Sequence, residues 1–532
     1  MSYWGAQVII SLFGAIPVVG DDLVTWIRGD YLISGITLNR FFALHVVALP
    51  IVLLALVVLH LLALHEVGSN NPDGVDIKKV KDENGVPLDG IAFHPYYSVH
   101  DLQALGVFLF IFCAVVFFLP EMGGYFLEYA NFEEANSLKT PEHIAPVWYF
   151  TPFYSVLRAV PDKFWGFVAF AASVAIPFML PWLDRSPVNS WRYRGNITKV
   201  MLVLFTASFL ILGVLGVRAP TPGRTALAQV CSIIYFAFFL LMPIWTSLDR
   251  TKPVPKRVTM DGGIGFWGSM GGLALILALT ILPLKAVGAD AAYKCGSIPC
   301  DDFKADPHDK ASLQNGARLY MNYCMGCHSL KYARYNRVAG DLGIPEDLFE
   351  ANLMFDPNTK IGSLMDNAMD DGNAKTWFGA TPPDLTLVSR ARQPEWLYTY
   401  LRTFYKDPSR PYGVNNKVFK DVGMPHVLLE LQGMQECAMG PVTAGNGGVK
   451  RDPLTGQDVL ENPCGNFSIS EAGELSPEEF DDAMYDLVNF MAYMSEPMVA
   501  DRHRIGTYVL MFIVLFFVLA SLLNREYWKD VH

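Results

Sequence analysis

Two cysteines and a histidine lie together in the C-terminal half of the 532-residue chain, in the segment Cys324-Met325-Gly326-Cys327-His328. This C-x-x-C-H spacing is typical of covalent haem c attachment, in which two thiols capture the vinyl groups and the histidine is the proximal iron ligand. A zinc or thioredoxin-like site is the alternative for the cysteine pair, and the adjacent histidine argues against it. The motif therefore predicts one covalently bound haem c.

Two further histidines, His45 and His60, lie in a strongly apolar stretch near the N-terminus. An imidazole within a membrane span is costly and usually functional. The 15-residue separation corresponds to about 22 Å along an α-helix and an angular offset of about 60°. Both side chains can therefore face one side of a bundle, one near each membrane surface. Axial haem-iron ligation and hydrogen bonding to neighbouring helices both fit this spacing.

The composition indicates which elements hold these residues. Hydrophobic residues make up 52% of the chain, charged residues make up 17% and the net charge is −11. Because soluble proteins carry about a quarter charged residues, this composition excludes a disordered chain, a basic nucleic-acid-binding protein and a disulfide mini-scaffold. Residues 1–290 are apolar and residues 291–500 resemble an acidic soluble domain. The sequence therefore predicts a membrane protein with a soluble module.

Seven stretches are long and apolar enough to cross a bilayer, which takes about 20 residues. They are 40–64, 102–120, 165–183, 200–217, 226–246, 264–284 and 505–523. Residues 9–20 are interrupted by Gly14, Pro17 and Gly20, and we expect them to be interfacial. Lys and Arg follow the first, third and fifth spans, which places residues 291–500 outside the cytoplasm. The 264–284 stretch is either a cleaved export signal or a retained helix.

Several segments resemble cytochrome b of the quinol:cytochrome c oxidoreductase (bc1) complex. They are Ser2-Tyr3-Trp4-Gly5-Ala6, Asn39-Arg40-Phe41-Phe42-Ala43-Leu44-His45, His65-Glu66-Val67-Gly68-Ser69-Asn70-Asn71-Pro72, Phe93-His94-Pro95-Tyr96-Tyr97 and Pro146-Val147-Trp148-Tyr149. The resemblance implies that the first span here is the fourth of eight, with His45 binding the low-potential haem b and His60 the high-potential haem b. Each of the two haem b groups would take one axial ligand from this chain. The family's first three helices would come from another polypeptide, or the chain would be a fragment or a fusion product.

The spacing of the two histidines departs from the family pattern, because it is one residue longer than in mitochondrial relatives. Pro50 lies between them. We expect the helix near this proline to absorb the extra residue by widening locally.

The resemblance also implies an outer site that oxidises ubiquinol. Many relatives carry a glutamate where this chain has Val147, and Glu142 is the nearest ionisable substitute. We expect Glu142 to accept a quinol proton; the alternative is a surface carboxylate. Tyr149 and Tyr154 are expected to line the pocket, since a phenol can direct a hydrogen bond into an apolar cavity.

An inner site that reduces ubiquinone is implied by His65 and Asp101, with Ser69 as a weaker match. Reduction of a quinone needs two protons, and a histidine and an aspartate at a membrane surface can relay them. Without the resemblance, Asp101 would be interpreted as an acidic residue at a helix N-terminus. His100 occupies a position where relatives often carry lysine.

The soluble module resembles cytochrome c1. Gly423-Met424-Pro425-His426-Val427-Leu428 is similar to that family's axial-methionine segment, which implies Met424 as the sixth iron ligand. Pro382-Pro383-Asp384-Leu385, followed by Arg390 and Arg392, also matches, and a guanidinium there can pair with a haem propionate. Arg392 is the better match.

Four cysteines of the external region are expected to form two disulfides. One would join Cys437 to Cys464 and close a Gly-rich insertion after Met424, and the other would join Cys295 to Cys300. Two acidic clusters could steer a basic cytochrome c toward the module, or could be a solvated face. They are Glu346, Asp347, Glu350 and Asp356, then Asp366, Asp370 and Asp371.

We therefore predict an all-α fold: a polytopic transmembrane bundle, then an all-α class I-like cytochrome c domain with a C-terminal transmembrane anchor. The predicted domains are 1–258, lacking the first three cytochrome b helices, 259–292 as a signal-like or transmembrane segment, 293–500 and 501–532. The implied iron ligands are His45, His60, His328 and Met424.

The implied function is proton-translocating ubiquinol oxidation with cytochrome c reduction in a bacterial inner membrane, with the haem c domain in the periplasm. The implied partners are a Rieske iron–sulfur protein, the N-terminal part of cytochrome b on another chain, soluble cytochrome c, membrane lipid and a second copy of the complex; no nucleic acid is expected. Two alternatives remain at this stage. One is a membrane-anchored c-type electron carrier with an inert b part, and the other is a transporter bundle with an accessory haem domain.

Overall fold

The structure is a computed structural model that describes most of the chain. The described residues are 2–68, 71, 73–79, 81–88, 90–124, 126–127, 129–136, 146–254, 295–296, 298–437, 440–441, 449, 451–452, 456–457, 460–461 and 467–531. The chain divides into two units. Unit 1 comprises Met1–Ala130, Glu134–Ala291 and Gly506–His532, and unit 2 comprises Asn131–Glu133 and Ala292–Ile505.

Unit 1 is built of helices because its long apolar runs satisfy their backbone hydrogen bonds internally. Its helices are α1 (Ser2–Phe13), α2 (Gly20–Arg28), α3 (Gly35–Ala43), α4 (Leu49–Val67), α5 (Ser98–Phe118), α6 (Thr151–Ala159), α7 (Lys163–Ala175), α8 (Leu180–Leu183), α9 (Asn196–Val217), α10 (Pro222–Leu240) and α11 (Met242–Leu248). The last helix of the chain, Val499–Tyr527, belongs to unit 1 from Gly506 onward.

In the described part of the chain, six helical segments are long and apolar enough to span a membrane. They are Gly35–Val67, Phe93–Phe118, Lys163–Leu183, Asn196–Val217, Pro222–Leu240 and Val499–Asp530. Each coincides with one of the seven predicted spans, and the remaining prediction, 264–284, lies outside the described residues. The helix is interrupted within residues 9–20, because α1 ends at Phe13 and α2 begins at Gly20. The interfacial location of this stretch stays a prediction.

The core of unit 1 lies where α6, α9 and α10 pack together. A Cβ on Gly216 of α9 would collide with the backbone of Thr151 at the start of α6, so only glycine allows this close approach. An aromatic cluster fills the interface of α9 and α10, where the ring centroids of Phe205 and Phe238 lie 4.5 Å apart. The Tyr235 hydroxyl donates to the carbonyl oxygen of Ser173 in α7 at 2.7 Å, which satisfies a buried polar group.

The C-terminal membrane helix packs antiparallel against α5. A Cβ on Gly106 would lie 3.3 Å from the Phe517 side chain, and a Cβ on Gly506 would meet Phe117. At the other end, the Asn524 amide donates to Gln103 Oε1 at 2.7 Å. Residue numbers rise along one helix as they fall along the other, so the two helices run in opposite directions.

Unit 2 is mostly helical. Its helices are α12 (Lys310–Leu319), α13 (Tyr335–Leu342), α14 (Glu346–Leu353), α15 (Asp371–Phe378), α16 (Val388–Arg392), α17 (Pro394–Arg402), α18 (Leu429–Gln432) and α19 (Pro477–Ser495). The closest packing joins α12 to α19, where a Cβ on Gly316 would collide with the backbone of Asp486. Ser476 and Glu479 form a capping box that begins α19.

Among the residues that the structure describes, four small antiparallel sheets supplement these helices. The strands are β1 (Leu330–Arg334), β2 (Leu364–Met365), β3 (Phe404–Lys406), β4 (Val414–Asn416), β5 (Gly433–Cys437), β6 (Gly440–Pro441), β7 (Leu460–Glu461) and β8 (Phe467–Ala472). They pair as β1–β2, β3–β4, β5–β8 and β6–β7. The predicted helical fold class is confirmed, and the small sheets are an addition that the sequence did not predict.

Candidate functional site

The C-x-x-C-H motif follows α12 through a π-helical segment, Tyr320–Cys324. The amides of Cys327 and His328 both donate to the carbonyl oxygen of Cys324, at 3.0 and 2.9 Å. Both thiols are free, and burial raises the pKa of Cys324 to about 12. Among the described residues, no group of three or more His, Cys, Asp and Glu side chains could hold a metal ion. The zinc alternative therefore lacks a ligand set in the described part of the chain.

The imidazole of His328 is oriented by a backbone carbonyl. Its Nδ1 lies 2.7 Å from the carbonyl oxygen of Pro383, and because a carbonyl only accepts, Nδ1 carries the hydrogen. Burial lowers the pKa of His328, so the ring is neutral and Nε2 keeps its lone pair for a metal ion. Two free thiols beside such a histidine are the donor set that haem c requires, so these residues fit the group.

The loop that carries Pro383 is attached to β1. Asp384 accepts a hydrogen bond from the Lys331 amide at 2.8 Å and another from the Thr386 amide at 3.0 Å. The Leu385 amide donates to the carbonyl oxygen of Ser329 at 3.0 Å. These contacts fix the carbonyl that orients His328, and such supporting interactions are typical of metal ligands.

Met424, the predicted sixth ligand, lies in the loop after β4. It is partly buried and packs against the cluster formed by Phe404, Val414 and Val422. The Tyr400 hydroxyl donates to Met424 Sδ at 3.3 Å. Sequence reasoning missed Tyr400, although Trp396 and Tyr400 follow the four-residue spacing that places side chains on one helix face.

Arg390 and Arg392 lie at the end of α16. The Arg390 guanidinium lies 4.1 Å from the centre of the Phe132 ring. Arg392 Nη2 lies 3.6 Å from Glu133 Oε1. Phe132 and Glu133, the partners of the two arginines, both belong to the short segment Asn131–Glu133 of unit 2. The predicted pairing of Arg392 with a haem propionate stays a prediction, and Glu133 is a partner that the sequence did not reveal.

The predicted Cys295–Cys300 disulfide is present in the structure. Cys437 is also disulfide-bonded, but Cys464 lies outside the described residues, so its pairing stays a prediction. Cys113 in α5 and Cys231 in α10 are free.

The helix that carries His45 and His60 is widened at one place. Residues Leu44–Ala48 form a π-helical segment that includes His45, and the Leu49 amide donates to the carbonyl oxygen of Leu44. The local widening predicted near Pro50 is therefore confirmed. Because a π turn absorbs one residue, the angular offset between the two histidines changes from about +60° to about −40°. Both side chains are exposed in the described structure, as are all the side chains of α4.

The two predicted inner-site residues lie at neighbouring helix ends. His65 is in the last turn of α4 and Asp101 is in the first turn of α5, and consecutive spans place these two ends on one membrane side. Both side chains are exposed. The ring of His100, next to Asp101, lies 5.9 Å from the ring of Trp528 in the C-terminal segment.

The predicted outer-site residues are described in part. Glu142 lies outside the described residues. Tyr149 is 55% exposed in the turn Trp148–Phe150, and the ring of Tyr154 in α6 lies 4.7 Å from the Arg158 guanidinium. A cavity of about 10 Å³ beside Ser155 and Arg158 has room for about one water molecule, so it is too small for a quinone.

Three family models match the chain. The model described as Cytochrome b/b6/petB matches residues 1–68, the model described as Cytochrome b(C-terminal)/b6/petD matches 134–236, and the Cytochrome C1 family matches 302–437 and 471–531. Together they cover both predicted parts of the chain in the predicted order.

Curated relatives show the same division. A cytochrome b of Allochromatium vinosum is 57% identical over 267 residues, covering 49% of this chain and 64% of its own length. The chain thus spans less than two thirds of that cytochrome b. A cytochrome c1 of the same organism is 48% identical over 260 residues, covering 49% of this chain and 98% of its own length.

A solved chain titled "Hyperthermophilic respiratory Complex III" is 38% identical, covers 46% of this chain and 63% of that chain, and has a TM-score of 0.42, too low to support an argument. The cytochrome b/c1 of Bradyrhizobium diazoefficiens is 30% identical over 563 residues, covering 100% of this chain and 78% of its own length. The chain therefore belongs to the cytochrome b/c1 family and is a haem-binding membrane protein.

Proposed function

We propose that this chain is the b/c1 subunit of a bc1-type oxidoreductase that oxidises ubiquinol, reduces cytochrome c and translocates protons. One observation carries the proposal: a haem c motif whose histidine keeps Nε2 for iron occurs in the same chain as a membrane helix with histidines at two depths. The full-length similarity to a protein named cytochrome b/c1 supports it.

In unit 2, Cys324 and Cys327 would hold one haem c covalently, with His328 and Met424 as axial ligands. When bound, haem groups supply one-electron transfer. The residues of the chain supply position: the Pro383 carbonyl fixes the His328 ring, and Arg392 offers a guanidinium for a propionate.

In unit 1, His45 and His60 would each give one axial ligand to a separate haem b. The opposite ligands would come from the N-terminal part of cytochrome b on another chain. The π-helical segment Leu44–Ala48 keeps the two imidazoles within about 40° of one helix face, which supports ligation of two cofactors stacked along one span.

The protons move at two sites on opposite membrane sides. Ubiquinol oxidation releases two electrons and two protons, and Glu142 would accept one of these protons while Tyr149 orients the quinol by a hydrogen bond. His65 and Asp101 would deliver the two protons that quinone reduction consumes. One quinol electron would leave through the Rieske protein and haem c to cytochrome c, and the other would cross to the inner site and reduce the quinone there. That crossing moves charge against the membrane potential, which costs about 2.3 kcal/mol per charge per 100 mV.

The assembly would also contain a Rieske iron–sulfur protein, soluble cytochrome c as acceptor, bound lipid and a second copy of the complex. It would lie in a bacterial inner membrane with the haem c domain in the periplasm. Positive loops after the first, third and fifth spans support this orientation.

Quinol-driven reduction of cytochrome c by the purified complex tests the proposal. We expect turnover in the wild-type complex and its loss in Cys324→Ala, which cannot attach haem c normally. Equal turnover in the Cys324→Ala complex would contradict the proposed role of unit 2. Unchanged quinol oxidation after Glu142→Gln would exclude Glu142 as the proton acceptor without affecting the rest.

A further inference from the structure

The sulfur of Met424 has a hydrogen-bond donor on a different segment of unit 2. Tyr400 lies in the last turn of α17, and its hydroxyl oxygen is 3.3 Å from Met424 Sδ. A thioether sulfur is a weak acceptor with two lone pairs. One lone pair can therefore bind iron while the other accepts from the phenol.

The position of Tyr400 is fixed by its surroundings. Its ring stacks on Trp396 with centroids 4.9 Å apart and an interplanar angle of 10°. Its carbonyl oxygen accepts from the side-chain amide of Asn416 at 2.8 Å. The same Asn416 is buried, and its Oδ1 accepts from the Val418 amide at 2.9 Å. The helix end and the loop that leads to Met424 are therefore held by one side chain.

A second contact holds the same loop two residues after Met424. The ring of Phe404 stacks on the ring of His426, with centroids 5.0 Å apart and planes within 2°. The ring of Phe404 also contacts the ring of Tyr400, with centroids 5.2 Å apart and an angle of 68° between the ring planes. Tyr400 and Phe404, four residues apart, thus contact the loop on either side of Pro425.

We propose that Tyr400 is a positioning residue for the haem c iron: its hydroxyl donates to Met424 Sδ while that sulfur is the sixth ligand. The inference rests on the proposed function through the assignment of Met424. A hydrogen-bond donor to the sulfur withdraws electron density from it. Electron density donated by the sulfur stabilises ferric iron more than ferrous iron, so its withdrawal destabilises the ferric state more. Supporting hydrogen bonds of this kind tune a metal site, so Tyr400 raises the haem c reduction potential and restricts the orientation of the sulfur.

The variant Tyr400→Phe, in the complete complex, removes the hydroxyl and keeps the aromatic packing. We expect the midpoint potential of haem c to fall by about 30 to 60 mV. For one electron, at ~59 mV per tenfold, this fall corresponds to a three- to tenfold change in the equilibrium constant of electron exchange. Tyr398→Phe is the matched control on the same helix, because it also removes one phenolic hydroxyl. The Tyr398 hydroxyl donates to the carbonyl oxygen of Asp481 at 3.5 Å instead of to Met424. Its potential should equal that of the wild type.

The far-red absorption of a methionine bound to ferric haem gives the second measurement. A weakened or shifted band in Tyr400→Phe, with an unchanged band in Tyr398→Phe, supports the proposal. A Tyr400→Phe potential and band equal to those of Tyr398→Phe overturn it. Met424→Leu tests the ligand separately: survival of the band in that variant would show that Met424 is not the ligand, and both the assignment and the inference would fail.

Discussion

His328 donates its Nδ1 hydrogen to the carbonyl oxygen of Pro383 across 2.7 Å. The two residues are 55 positions apart, so the proximal histidine depends on a loop that the motif itself does not contain. That loop is attached to β1 through Asp384.

Replacing Asp384 tests this dependence. Asp384→Ala removes an acceptor of two backbone amides, those of Lys331 and Thr386, and hydrogen bonds to a charged group each contribute about 1.5–3 kcal/mol. We expect the free energy of unfolding of unit 2 to fall by about 2 kcal/mol in denaturant titrations followed by haem c absorption. The exposed Asp482 offers a control, since Asp482→Ala should cost less than about 0.5 kcal/mol. Equal losses in both variants would contradict a specific role for Asp384.

The histidines of the first span give a prediction about haem content. His45→Leu and His60→Leu should each remove one haem b from the assembled complex and leave haem c in place, because each variant deletes one iron ligand. His94→Gln is the matched control, since His94 lies outside the two predicted ligand positions and its Nδ1 pairs with Ser98 at 3.2 Å. Full haem b content in both leucine variants, by pyridine haemochrome spectra, would refute the ligand assignment.

The π-helical segment around His45 predicts a tolerated deletion. Removing Val47 should convert Leu44–Ala48 to ordinary α-helix, because the extra residue is already absorbed there. Both haem b groups should then be retained. Removing Val46 and Val47 together would rotate His60 by about 100° relative to His45 and should abolish haem b binding. Loss of haem b after the single deletion would show that the widened turn is not what aligns the histidines.

Asp407 gives unit 2 a predicted acid sensitivity. Hydrogen bonds from the Ser409 hydroxyl and the Asn415 amide lower the pKa of Asp407 in the folded protein. The unfolded state binds the proton more readily, so the stabilisation is full above pH ~4, the ordinary aspartate value, and is lost as pH falls through the lowered pKa. Asp407→Asn should therefore reduce the loss of unfolding free energy between about pH 5 and pH 3. An unchanged pH slope in that variant would contradict the assignment.

Local chemistry and hydropathy were sufficient to predict part of this protein. The C-x-x-C-H motif needs only adjacent residues, and six of the predicted spans follow from apolar runs of bilayer length. The widened turn was predictable because the resemblance to cytochrome b supplies a histidine spacing for comparison, and Pro50 lies between the two histidines.

Contacts between distant segments could not be predicted in this way. The Tyr400–Met424 bond joins residues 24 positions apart, and the Arg392–Glu133 pair joins residues from the two halves of the sequence. Such contacts depend on where each loop lies relative to helices that are distant in sequence. Hydrophobic periodicity indicates only the local secondary structure, so it does not predict these loop positions. The small sheets of unit 2 escaped prediction for the same reason, since β6 and β7 have two residues each.

The reduced-minus-oxidised absorption spectrum of the assembled complex tests the central claim most directly. The proposal predicts b-type and c-type bands together, in a ratio of two haem b to one haem c, with both classes reduced by added ubiquinol. A spectrum with c-type absorption alone, in a complex that contains the N-terminal part of cytochrome b, would contradict it.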